Sequence, residues 1–178
     1  GKYPDIFDYD LTGKQARELF EDGQVMLNKI LKEKSLKAKA IFGLFPANSV
    51  GDDIEVYDQE KTKTLAKFLT LRQQLKKKEG EPNIALSDFI APKDSEIEDY
   101  IGCFCVSTGF GSDELSKAYE DKIDDYSSIM VKAIADRLAE AYAEYLHKEI
   151  RTNKWGYVRN EDLDNKELIK ESYKGIRP

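Results

Sequence analysis

The sequence has little of what marks several classes of protein. Cysteine is confined to Cys103 and Cys105, and histidine to His147. Two positions apart in an extended segment, the two cysteines point the same way with β-carbons beyond disulfide reach, which excludes a disulfide framework. A C-x-C pair offers a metal two thiolates, but zinc takes four ligands and the sole histidine lies far along the chain. The plain reading is two small buried hydrophobes in a strand. Long apolar runs are absent as well: the longest uncharged stretch, Tyr100 to Ser112, covers about 13 residues with three glycines, against the ~20 apolar residues of a membrane span. There is no excess of positive charge, since 28 Lys and Arg stand against 34 Asp and Glu for a net charge of -6. Chains that track phosphate backbones carry the opposite balance. Neither a membrane nor nucleic acid is therefore an expected partner. Reduced thiols and an opening of Gly1-Lys2-Tyr3-Pro4, without a signal-peptide pattern, point to the cytoplasm. The abrupt start also suggests a piece of a longer protein.

What is present is enough for one domain over residues 1-178, because a chain of this length buries roughly 70% of the surface its unfolded form exposes. Thr12 with Gln15 makes a capping box, and Ala16, Leu19, Phe20, Leu27, Ile30 and Leu31 then recur at helical spacing, predicting a helix over 13-34. Residues 36-45 read as a strand ending at the turn signal Pro46-Ala47-Asn48. Segments 53-57 and 64-71, separated by the polar run Asp58-Gln59-Glu60-Lys61, read as an antiparallel hairpin. In 101-107 apolar residues occupy both faces, which predicts a strand in the middle of a sheet. A helical pattern fills 113-152, with a break expected near Asp124-Asp125-Tyr126-Ser127 and the longer part over 126-152. The apolar stripe of that part is Ile134, Leu138, Ala141, Tyr142, Tyr145 and Leu146, with Glu140 at its border. Asp164 and Glu167 cap a last helix over 164-173, and Gly175 suits its left-handed exit. Strands grouped apart from helices give an α+β class: a mainly antiparallel sheet flanked by helices.

Composition and spacing alone show little chemistry. His147 and Arg151 share a helical face at i,i+4, where a hydrogen-bonded structural histidine outweighs a catalytic base. Ser107-Thr108-Gly109-Phe110-Gly111 could present backbone N–H groups to an anion, although such glycine pairs are common in plain turns. Acidic pairs such as Asp124-Asp125 read as helix-start charge.

Whole segments carry more. Gly1-Lys2-Tyr3-Pro4, Gly43-Leu44-Phe45-Pro46-Ala47-Asn48, Leu71-Arg72-Gln73-Gln74 and Asp88-Phe89-Ile90-Ala91-Pro92 resemble the activation domain of cobalamin-dependent methionine synthases. So do Asp124-Asp125-Tyr126, Asp136-Arg137-Leu138-Ala139-Glu140-Ala141, Trp155-Gly156-Tyr157 and Gly175-Ile176-Arg177-Pro178, all in order along the chain. A series of ordered motifs is far more specific than any one of them.

The resemblance implies a module that binds S-adenosylmethionine and offers its methyl group to cobalamin oxidised to the inactive cob(II) state, with an electron from a flavodoxin-type reductase. It implies cobalamin held by another domain of the same polypeptide, which would be the second partner. In the family the folate, homocysteine and cobalamin domains precede this module, so the fragment is expected to bind the methyl donor without turning over, and family segments beyond both ends of this sequence also contribute to the ligand site. By the same resemblance, Arg177 would grip the ligand carboxylate and Glu140 its ammonium. No catalytic residue and no metal ligand is implied. A stand-alone methyltransferase would show a glycine-rich loop after its first strand, and this chain begins with a helix. An interaction module that docks the cobalamin domain or the reductase without a ligand of its own is the alternative. For an acidic reductase, Lys76-Lys77-Lys78 and the set Lys148, Arg151 and Lys154 are the candidate basic patches.

Overall fold

A computed structural model describes residues 3-175. Its regular elements are α1 (Gly13–Glu33), β1 (Lys37–Val50), β2 (Asp53–Tyr57), β3 (Thr64–Leu69), β4 (Tyr100–Phe110), α2 (Ser112–Glu120), α3 (Asp125–Glu149) and α4 (Asn165–Ile169). The four strands form one sheet in the order β3-β2-β1-β4, with β1-β2 and β2-β3 antiparallel. This is the α+β class that the grouping of strands and helices predicts. The chain divides into two compact units, residues 1-40 with 106-178, and residues 41-105.

The helical unit is built around α1, α2 and α3. Its core is Met26, Ile30, Met130 and Val131, with Leu36, Leu115, Tyr119 and Ile134 packed against them. Each such side chain withdrawn from water contributes roughly 1.5-3 kcal/mol. The buried positions of α1 are thus Met26 and Ile30 at i,i+4, while Leu19 and Leu31 of the expected stripe are exposed. Phe20 instead joins an aromatic cluster with Tyr3 and Phe7, at centroid distances of 5.9 and 5.5 Å. The capping box expected at Thr12 is not formed, because the threonine hydroxyl makes no cap bond. Further on, the expected helix 113-152 is two helices. The first ends at Glu120, and Asp124 caps the second, its carboxylate accepting from the Ser127 N–H at 3.0 Å, which holds that carboxyl below the usual range. The last helix is shorter than 164-173, but its capping box is present: Asp164 accepts from the Glu167 N–H and Glu167 from the Asp164 N–H, at 2.8 and 2.9 Å.

The sheet unit has its own core of Ala47, Ile54 and Val56, covered by Phe45, Ile90 and Ile101. The strand expected over 36-45 runs on through Pro46 to Val50. Proline lacks an N–H, yet the residues after it find partners: Ala47 N–H donates to Asp99 O at 2.9 Å, and Asn48 Nδ2 to Ala91 O and Ile97 O at 3.1 Å each. The turn comes five residues later, where Gly51, with φ +61°, lets β1 fold back on β2 in the register Val50 to Asp53. Residues 70-92 contain little regular structure; Asn48 and Ser49 hold their far end at Ile90 and Ala91, and Arg72 gathers the rest. Arg72 bonds Asp88 in a bidentate pair at 2.7 and 2.8 Å, Asp52 at 2.7 and 3.1 Å, and Asn83 O at 2.7 Å. That guanidinium, helped by the Ala85 N–H, draws the Asp88 carboxyl down to about 2.

β4 lies at the edge of the sheet and not in its middle, and Cys103 and Cys105 are exposed free thiols. An edge position leaves one row of backbone groups without a strand partner, and the face of β4 that carries Cys103 and Cys105 is uncovered at both cysteines, so apolar composition on both faces did not imply burial here. Thr108 is the buried residue of this strand, its Oγ1 donating to Ala135 O at 2.6 Å. β4 ends at Phe110, and Gly111, with φ +98°, turns the chain into α2. A β-carbon there would run into the Ser35 carbonyl oxygen. Gly111→Ala should therefore cost about 3 kcal/mol or more, combining a left-handed strain with a backbone clash, and urea unfolding measures it.

Candidate functional site

The residue-level chemistry of the helical unit lies along α3. At 100° per residue, Arg137, Glu140, Glu144, His147 and Arg151 fall on one stripe. That stripe lies across the helix from Leu138, Ala141, Tyr142 and Tyr145, so Glu140 does not border the apolar face as its spacing suggested. The stripe passes from water to interior as it descends. Arg137 and Glu140 have side chains 73% and 65% exposed and form an ion pair at 2.9 Å, while His147 is 9% exposed and Arg151 is fully buried. An exposed i,i+3 pair of this kind is worth little. Glu140 therefore keeps a carboxylate available at the surface, and Arg137 is its described ion-pair partner.

At the buried end, α3 passes into a π-helical turn, Ile150–Lys154. Arg151 Nε and Nη2 donate to the two carboxylate oxygens of Glu161 at 2.7 and 2.6 Å, and Glu161 is only 3% exposed at its side chain. Arg151 Nη1 lies 2.6 Å from His147 Nδ1. A guanidinium can only donate, so Nδ1 is the acceptor and the imidazole is neutral with its proton on Nε2. Burial, with the Arg151 charge beside it, accordingly pushes His147 down to about 4. The Tyr173 ring closes the cluster, 4.3 Å from the Arg151 Cζ and edge-on to His147 with centroids 5.3 Å apart.

His147 is thus the structural histidine near a helix end that its spacing favoured. Arg151, being fully buried, drops out of the basic patch with Lys148 and Lys154. Thr108 and Ser112 spend their hydroxyls on Ala135 O and Gly109 O, and residues 107-110 belong to β4, so the expected loop 107-111 is a strand end followed by the turn at Gly111. Arg177 lies outside the described residues. Sequence reasoning missed Glu161 and Tyr173, because a glutamate in the polar run Arg159-Asn160-Glu161-Asp162 carries no signal of burial. Among the described residues, no three of His, Cys, Asp and Glu converge as a metal site would need. No described helix is long and apolar enough to cross a membrane.

The neutral state of His147 has a consequence for stability. Its pKa is lowered by folding from an unfolded value of 6.5 to about 4, so the unfolded chain takes up the proton first as pH falls. The stability is complete above pH ~6.5 and is lost progressively toward pH ~4, about 2 kcal/mol of it between pH 7 and pH 5. Urea unfolding at the two pH values should show this loss, and His147→Gln should remove most of the difference.

Over residues 1-178 the chain matches the family described as the vitamin B12 dependent methionine synthase, activation domain. Among solved structures it is similar to the MetH reactivation domain bound to AdoHcy, at 52% sequence identity and a TM-score of 0.91. The match covers 100% of this chain and 55% of that one, so the chain spans about half the length of its relative. Identity at this level over every residue, with the ordered motifs above, places the chain in the activation-domain family of vitamin B12 dependent methionine synthases.

Proposed function

We propose that this chain binds S-adenosylmethionine by its amino-acid headgroup, with Glu140 accepting from the ammonium and Arg177 pairing with the carboxylate. The headgroup needs one anion and one bidentate cation within reach of each other. The placement of Glu140 carries the reading. Its exposed carboxylate stands two turns, about 10 Å along the axis, from His147, against which Tyr173 is packed. Arg177 follows Tyr173 by four residues, a reach of up to about 14 Å. The donor chemistry fits the ligand, and the similar MetH reactivation domain is bound to AdoHcy, which has the same headgroup.

In the full-length polypeptide this binding would serve remethylation of oxidised cobalamin held by a neighbouring domain, with a flavodoxin-type reductase as electron donor and methionine synthesis as the activity of the whole enzyme. The cytoplasm, where the exposed thiols of Cys103 and Cys105 stay reduced, suits that role. Methyl transfer from a sulfonium to reduced cobalt is a displacement without proton transfer, and the cofactors carry that chemistry. The protein's contribution is to bind the donor, hold its direction and exclude water. Glu140 and Arg177 are therefore binding residues, and the 178-residue chain supplies binding and not turnover. For the reductase, Lys76-Lys77-Lys78 stays the candidate patch, since it lies in an irregular segment with Lys76 and Lys78 exposed.

Calorimetric titration of the full-length polypeptide with S-adenosylmethionine tests the reading. Arg177→Ala and Glu140→Gln should each weaken binding roughly tenfold to a hundredfold, the loss of one charge-assisted contact of about 1.5-3 kcal/mol. Unchanged affinity in both variants removes these residues from the site. No binding by the wild type leaves docking of the cobalamin domain or the reductase as the function.

A further inference from the structure

A groove of about 410 Å³ runs between the C-terminal end of α1, the start of β1 and the middle of α3, all within the helical unit. Its lining is mainly apolar, with Ile30 and Leu36 on one side and Leu138, Ala141 and Tyr142 on the other. Thr108 lines it too, its hydroxyl spent on Ala135 O. Among the described residues no carboxylate lines the groove, and the charged groups on it are Lys34 and Lys37, both exposed. Lys34 ends α1 in the left-handed conformation, at φ +54°, and the Ser35 N–H donates to Ile30 O at 3.1 Å, so one tight turn brings both lysines to the groove. The ion pairs of this unit join Lys14, Arg17, Lys132, Arg137 and Arg151 to carboxylates, which leaves Lys34 and Lys37 without one among the described residues. The surrounding sequence is a basic island in an acidic chain: residues 29-40 hold five lysines and one glutamate, against a net charge of -6 overall.

We propose that this groove binds a small amphiphilic carboxylate, a free anion of the fatty-acid type, with its apolar body along Ile30, Leu36 and Leu138 and its head on Lys34 and Lys37. The volume falls within the roughly 300-1,000 Å³ of small-molecule sites, and an apolar lining with a few polar groups to fix orientation is their usual composition. The charge at the groove is of one sign and unspent, so an anionic head gains two cations without breaking an existing pair. A neutral apolar ligand would leave that charge unused, and a cationic one would be repelled. A bilayer surface takes a protein by a projecting apolar face, whereas this feature is a recess. The groove lies across α3 from the stripe that carries Glu140, so the proposal is independent of the headgroup reading and survives its failure.

Calorimetric titration of the full-length polypeptide with decanoate, kept below its critical micelle concentration, tests the site. Decanoate should bind at one site per chain, decanol about tenfold more weakly, and decyltrimethylammonium not at all. Lys34→Gln combined with Lys37→Gln should raise the Kd for decanoate about tenfold, through the loss of two exposed charge contacts, and leave decanol unchanged. Added salt should weaken decanoate and spare decanol. Ala141→Phe fills the groove with a ring and should abolish binding of both; because Ala141 is exposed on its helix, Tm should stay within about 2 °C of the wild type. Several sites per chain, equal affinity for decanoate and decanol, or wild-type affinity in Ala141→Phe overturns the proposal. Absence of decanoate binding overturns it as well, since the groove then has another occupant in the full-length polypeptide. Co-sedimentation with phosphatidylserine vesicles that decanoate does not compete away makes the patch a membrane surface and overturns it equally.

Discussion

The helical unit depends on a charge that is fully removed from water. Arg151 is enclosed by Glu161, His147 and Tyr173, which between them satisfy the guanidinium with a bidentate carboxylate, a ring nitrogen and an aromatic face. Burying such a pair costs several kcal/mol per ion, which good geometry only offsets. Its value to the structure is therefore definition more than stability. The bonds from Nε, Nη1 and Nη2 and the ring of Tyr173 tie the π turn to the segment carrying Glu161 and the segment carrying Tyr173, and a poorly satisfied network there would be worse than an apolar core. The requirement also explains why the single histidine is neutral: a second positive charge beside Arg151 would have no partner.

From that fixed point the polar stripe follows. α3 carries Glu140 at the surface and leads into the π turn that holds Arg151 in the interior, where Tyr173 packs on the cluster. On the proposed reading, a zwitterionic headgroup would be held by a helix residue and Arg177, without the glycine-rich loop that nucleotide-binding sheets use. An exposed carboxylate would then suit a module that passes its ligand's methyl group to another domain.

The sheet unit repeats the same device at its surface. Arg72 gathers Asp52 from the β1-β2 turn, Asn83 O and Asp88, so one side chain draws together three points of a segment with little regular structure and its neighbouring turn. Two of the ordered motifs that carried the resemblance, Leu71-Arg72 and Asp88-Phe89, thereby meet in one place with Asp52. Their recurrence in sequence has a physical reason in this network, and none of it points to catalysis.

The sequence by itself determined the features that arise within a few residues of one another. The span of α1, the break ahead of the Asp124 cap, the hairpin of β2 and β3, and the box of Asp164 with Glu167 depend on caps, turns and periodicity, which act through neighbours. Ordered motifs supplied the family, and through it the proposal of S-adenosylmethionine as ligand with Glu140 and Arg177 as its partners. Tertiary structure alone decided the rest: that β1 continues through Pro46, that β4 is an edge strand with exposed thiols, that α1 buries Met26 and Ile30 and leaves Leu19 and Leu31 outside, and that Arg151 is interior with Glu161 as its partner. A proline ends a strand unless distant groups satisfy the residues after it, and here Asp99, Ala91 and Ile97 do so from more than 40 residues away. Whether an arginine is solvated or buried likewise depends on which carboxylate the fold brings to it. Such choices are made by many groups at once across long sequence separations, and no local pattern records them.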